Sequence, residues 1–121
     1  MAETLATLMT LMKKSSEESN DEVFVTVGGA GSCIGGVFIP VDDLRKFSSL
    51  TLTKKSGSGT FSRGNFRYAD SDMNLLLDTY DITLGTPLTI PTIPQNASYV
   101  RIIIVISTTN NNTDIYNINF S

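Results

Sequence analysis

The segment YVRIIIVIS, residues 99–107, constrains the fold more than any other stretch of this chain. Extended backbone sends successive side chains to opposite faces. Val100, Ile102, Ile104 and Ile106 therefore point one way, and Tyr99, Arg101, Ile103 and Val105 the other. A strand with one wet face would place polar residues on its second side. Here Ile103 and Val105 are apolar as well, so both faces must be covered. The cover is expected from an N-terminal helix or a neighbouring subunit, which points to a homo-oligomer, most simply a homotrimer, with Ile103 and Val105 at the contact.

The rest of the pattern from Glu22 onward is also β. Val23, Val25 and Val27 alternate with Phe24 and Thr26, GGAGSCIGG intervenes, and Val37 to Ile39 resumes the strand. PVDDLRKF predicts a short helical turn with Asp42 and Asp43 near its start. SLTLT, Phe61 to Tyr68 and TYDITL read as further strands, with KKSGSG as a turn. The three prolines of GTPLTIPTIPQN exclude a central strand there. TTNNNT is read as a connector, and DIYNINF as a last strand with Tyr116, Ile118 and Phe120 on one face. Many short strands with turn signals between them predict an all-β chain, an antiparallel β-sandwich or jelly roll preceded by a short N-terminal helix. At 121 residues and 13.1 kDa there is room for one domain. It is expected over residues 22–121.

Residues 1–21 carry the helix and a polar linker. Met1, Leu5, Leu8 and Met12 are spaced as a heptad seam, and Lys13 and Lys14 suit a helix C-terminus. Isolated helices shorter than ~12–15 residues are marginal in water, so this segment needs a surface to lie on. It is expected to oligomerise the protein or attach it to a larger body. SSEESNDE then reads as a solvated linker.

The missing residues remove most chemistry. There is no His, no Trp and a single Cys. A Ser-His-Asp or Cys-His site within one chain is excluded, together with the commonest zinc ligand. One Cys forms no internal disulfide, and Cys33 reads as a small buried residue. The net charge of −3 and scattered basic residues argue against nucleic acid, and no apolar run is long enough to insert in a membrane. The N-terminal charge order is the reverse of a secretory signal. GGAGSCIGG lacks a third spaced glycine and a following helix, so it is read as a tight turn or close-packed bulge, not a nucleotide loop. Asp70-Ser71-Asp72-Met73-Asn74 begins like a calcium loop, but Leu75 stands where the turn needs glycine. No catalytic residue, cofactor or metal site is predicted.

From Gly64 to Arg101 the order of elements resembles small β-sandwich domains of tailed-bacteriophage fibre, spike and baseplate proteins. Tyr68, Asp70, Ser71, Asp72 and Asn74 match a turn on an aromatic strand, with Ala69 as an extra residue. Pro94, Asn96, Ala97, Tyr99, Val100, Arg101 and Ile102 match the segment that opens the last core strand. The resemblance covers about the C-terminal half. It implies a non-enzymatic virion protein, made in the host cytoplasm: a fibre, spike or capsid-decoration subunit. Its partners would be itself, other virion proteins through the N-terminal helix, and a host surface glycan. The ligand-facing residues would be Tyr68, Asp70, Asp72, Tyr99 and Arg101. A carbohydrate-binding module is the alternative, with Tyr68, Asp70 and Asp72 at the ligand.

Overall fold

The last strand, twenty-two residues from Tyr99 to Phe120, is the frame on which the others hang. The computed structural model describes residues 22–121. In chain order they form β1 (Glu22–Pro40), a 3-10 turn (Val41–Leu44), β2 (Ser49–Ser56), β3 (Thr60–Ala69), β4 (Leu75–Ile82), β5 (Leu88–Thr89) and β6 (Tyr99–Phe120). The expected helix, with Met1, Leu5, Leu8 and Met12, lies outside the described residues.

All pairing is antiparallel. β1 runs along the whole of β6, from Glu22 opposite Asn119 to Pro40 opposite Tyr99. The other edge of β6 is shared: its first half takes β3, and its second half takes β2. β4 then adds to β3, and β5 to β2. The result is a nearly closed, barrel-like sheet. One layer reads β4-β3-β6-β1 and the other β1-β6-β2-β5, with β1 and β6 common to both.

Of the two readings of GGAGSCIGG, a tight turn or a close-packed bulge, the bulge holds: it is a corner inside the single strand β1, with a register shift between Gly29 and Gly31. Gly29 has φ 133° and Gly31 φ 81°, values that a Cβ disfavours. TTNNNT likewise lies within β6 and does not join two strands. The connector expectation for TTNNNT failed because polar residues, like glycines, mark a bend, and a long paired ribbon can bend without ending.

The core follows the alternation. Val100, Ile102, Ile104 and Ile106 are fully enclosed, as are Tyr116 and Ile118 from the other half of β6. They pack in one cluster with Val25, Val27, Leu50, Leu52, Phe66 and Tyr68. The 3-10 turn forms where PVDDL predicted a helical turn, and it buries Val41 and Leu44. The proline-rich stretch contributes only the two-residue β5, as its lack of donors requires.

Candidate functional site: an outward sheet face and a buried carboxylate

Residues paired across an antiparallel ladder share a face. On the outer side of β6, Tyr99, Arg101, Ile103 and Val105 therefore stand beside Phe38, Gly36 and Ile34 of β1 and Arg67, Asn65 and Arg63 of β3. Ile103 is half-buried, Ile34 is 65% exposed, and Tyr99 meets Phe38 edge to face with ring centroids 6.5 Å apart. Val105 is buried by the chain itself, so it drops out of the expected intersubunit contact. The neighbours of Val105, Ile34 and Arg63, explain this: both lie across it from flanking strands.

Arg67 and Arg101 are directly opposite one another. Arg67 Nε donates to the Leu76 carbonyl, while Arg101 Nε is enclosed with no acceptor among the described residues. Neither these two nor Arg63 has a carboxylate at ion-pair distance among the described residues. The face is thus apolar along its middle and basic at its side. Its basic character was not legible while the arginines were scattered in sequence; the β3–β6 register brings them together.

Of the expected ligand set, Tyr99 lies opposite Ala69, beside Asp70, while Tyr68 is turned into the core. Tyr68 is 2% exposed, and its hydroxyl donates to the Pro91 carbonyl at 2.6 Å. Burial pushes its pKa up to about 12, with Tyr80 adding to the shift and Arg45 opposing it. It is a core residue with a bonded polar tip, the usual arrangement for a buried tyrosine. This corrects the expectation that it faces a ligand.

Asp70 and Asp72 lie at the β3–β4 turn. Asp70 Oδ1 accepts from the Asp72 N–H at 2.9 Å and the Asn74 N–H at 3.0 Å. The Asn74 N–H is the main reason its carboxyl lies below its ordinary pKa, the slight burial opposing and the Asp72 N–H adding. The carboxylate closes its own turn. Met73 takes the positive φ, 68°, that the turn requires. Among the described residues no three His, Cys, Asp or Glu groups gather as metal ligands do.

The polar centre that sequence reasoning missed is Asp114, fully buried on the inner side of β6. Its Oδ1 accepts from the Gly59 N–H at 2.9 Å and the Asn112 amide at 2.7 Å, and its Oδ2 from the Tyr116 hydroxyl at 3.0 Å. The Lys54 ammonium lies 3.6 Å from Oδ2 and also donates to the Gly59 carbonyl. Burial alone would raise the Asp114 pKa. The bonds from Asn112, Gly59 and Tyr116 and the Lys54 charge outweigh it, and the group is held below the ordinary carboxylate range. Tyr116 is shifted upward by burial and by its bond to the carboxylate.

Gly57 and Gly59 make room for this group: a Cβ would stand 2.0 Å from Asp114 Oδ1 at Gly57 and 2.7 Å from Oδ2 at Gly59. A signal existed in DIYNINF, where Asp114 shares the parity of Tyr116, Ile118 and Phe120. A carboxylate at a core position announces a buried network. Its partners tie the β2–β3 turn to β6, which gives it a structural role.

One exposed aromatic was also missed. Phe24, 52% exposed on the outer side of the other layer, has the Lys55 ammonium 5.7 Å from its ring centroid. No protein-family model matches the chain, and comparison with curated proteins finds no relative.

Proposed function

We propose that the chain is a non-enzymatic structural protein of a tailed-bacteriophage particle, a small homo-oligomeric fibre, spike or capsid-decoration subunit. Its β domain would serve adhesion or particle stabilisation. In this reading the two layers that share β1 and β6 are the halves of a sandwich or jelly roll, and residues 1–21 attach or trimerise it.

The observation that carries the proposal is the outer face of β6. Ile103, Tyr99 and Phe38 are only half-buried there, and Ile34 is open. An apolar patch set into a rigid sheet suits contact with another protein surface. The buried polar groups of the interior, Asp114 and Tyr68, are already bonded within the fold. The glycan-binding reading loses support with the burial of Tyr68, and Phe24 is partnered by Lys55.

Light scattering on the full chain tests the proposal. Three copies of the 13.1 kDa chain, about 39 kDa in all, are expected. Removing residues 1–20 should abolish attachment to the particle and leave the β domain folded. A monomer at every concentration would remove the homo-oligomeric subunit.

A further inference from the structure

The layer β4-β3-β6-β1 has two free edges, β1 and β4. Among the described residues, β6 is the only strand paired with β1, and no backbone hydrogen bond outside the sheets reaches residues 22–40. Apart from the close approach of Gly35 to Thr26, one row of β1 N–H and C=O groups is therefore left without a strand partner among the described residues. β4 is paired only with β3 in the same set.

Exposed edges are ordinarily guarded by charges, by proline, by shortness or by a β-bulge. β1 has one bulge, between Gly29 and Gly31, and from Ser32 to Ile39 it has none of these guards. It is 19 residues long, no Asp, Glu, Lys or Arg occurs from Val23 to Val41, and its only proline is Pro40 at the end. The two most exposed large hydrophobic residues among those described lie on the two edges: Leu77 of β4 at 90% and Ile34 of β1 at 65%. An unguarded backbone edge recognises another strand, and an exposed aliphatic beside it recognises another aliphatic.

We propose that β1 of one copy pairs with β4 of the next, with Ile34 meeting Leu77, so that the sheet continues from subunit to subunit. This rests on the homo-oligomeric reading above. Strand direction alternates along β4-β3-β6-β1, so β1 meets the following β4 antiparallel, as every other pair in the molecule does. The contact is head-to-tail, which closes as a ring when the rotation allows. Three copies give the trimer.

The test uses the full-length chain and two variants, Ile34→Lys and Leu77→Lys. Both sites are exposed, so the fold should survive, and circular dichroism checks that it does. The wild type should be a trimer by light scattering, and each variant alone should fall to 13.1 kDa. An equimolar mixture should form a species of two copies, about 26 kDa, because Leu77→Lys keeps an intact β1 edge and Ile34→Lys an intact β4 edge. Amide exchange across residues 31–40 should be slower in the wild type than in either variant.

If both variants remain trimeric, the edge pairing is wrong while the oligomer stands. If Ile34→Lys alone dissociates, β1 pairs with another surface and the assignment of β4 fails. Dissociation on removing residues 1–21, with both lysine variants intact, places the contact in that segment and overturns the proposal. A monomeric wild type overturns this proposal and the oligomeric reading together.

Discussion

Gly35 packs against Thr26 of its own strand: a Cβ at Gly35 would stand 2.6 Å from the Thr26 carbonyl oxygen and 2.7 Å from a Val27 methyl. The two halves of β1 thus cross with a backbone in contact, and the glycine corner between them sets that crossing. Gly35→Ala should destabilise by about 2–4 kcal/mol, since the atom it meets is backbone and cannot swing aside. Gly31→Ala is the control. It has open space around it but φ 81°, so its cost should be only about 1–2 kcal/mol of left-handed strain. Urea midpoints of the two variants decide the matter, and equal losses would mean that the crossing is not tight.

Asp114 should be the most costly single polar side chain to remove. Asp114→Ala leaves Lys54, Asn112, the Gly59 N–H and the Tyr116 hydroxyl without their acceptor, and a loss of about 3–5 kcal/mol is expected. Lys54→Met leaves the carboxylate with three donors and should cost less. If the two variants lose equal stability in denaturant, the Lys54 charge and not the hydrogen bonds carries the site.

The same carboxylate sets an acid limb. Its folded pKa is below its unfolded value, near 3.9, so the unfolded chain binds the proton more readily. Its stabilisation is therefore complete above about pH 5 and fades as pH falls through the folded value. Asp70 is shifted in the same direction by its turn. Unfolding curves between pH 2 and 6 should show a shallower slope for Asp114→Asn than for the wild type. An unchanged slope would move the acid response elsewhere.

Tyr68 governs the alkaline side. Its folded pKa, about 12, exceeds the ordinary value near 10, so its contribution is present below pH 10 and is lost as pH rises toward 12. Tyr68→Phe leaves the Pro91 carbonyl without its donor and should cost about 1–3 kcal/mol at neutral pH. Titration of phenolate absorbance should show one fewer late-ionising tyrosine in that variant.

Neighbouring isoleucines on β6 should behave differently. Ile102→Ala removes a fully enclosed side chain and should cost about 2–5 kcal/mol. Ile103 is half-buried on the outer face, so Ile103→Ala should cost less in the isolated subunit. Its loss should grow with protein concentration if the face is an interface, and denaturation at several concentrations would show it.

These residues also show what the sequence disclosed. The alternation through Ile102, Ile103 and Ile104 was legible because side-chain direction in a strand depends only on parity. The strands around Leu50, Phe66 and Ile82 and the turn at Val41–Leu44 were legible for similarly local reasons. The corner in β1 was legible only as one of two alternatives, because glycine and serine mark both a turn that ends a strand and a bulge that bends one. Tyr68 was misplaced because a motif gives neighbours in sequence, whereas its hydroxyl is bonded to Pro91, twenty-three residues away. Asp114 belongs between these cases: its parity placed it inside, but its partners at Lys54 and Gly59 lie across the fold.

The shared ribbon of β1 and β6 also orders events in time. Among the described strands, β1, β2 and β3 all pair with β6, and only β4 and β5 pair elsewhere. Before β6 is synthesised, the β3–β4 hairpin and the two-residue β2–β5 contact are the only pairings of the described sheet open to the emerging chain. Pairing of this span carries a large loop-closure cost and closes slowly. Until then the charge-free stretch of β1 from Val23 to Pro40 is the segment most in need of shielding, and a helper that delays its encounters should raise the yield of folded protein.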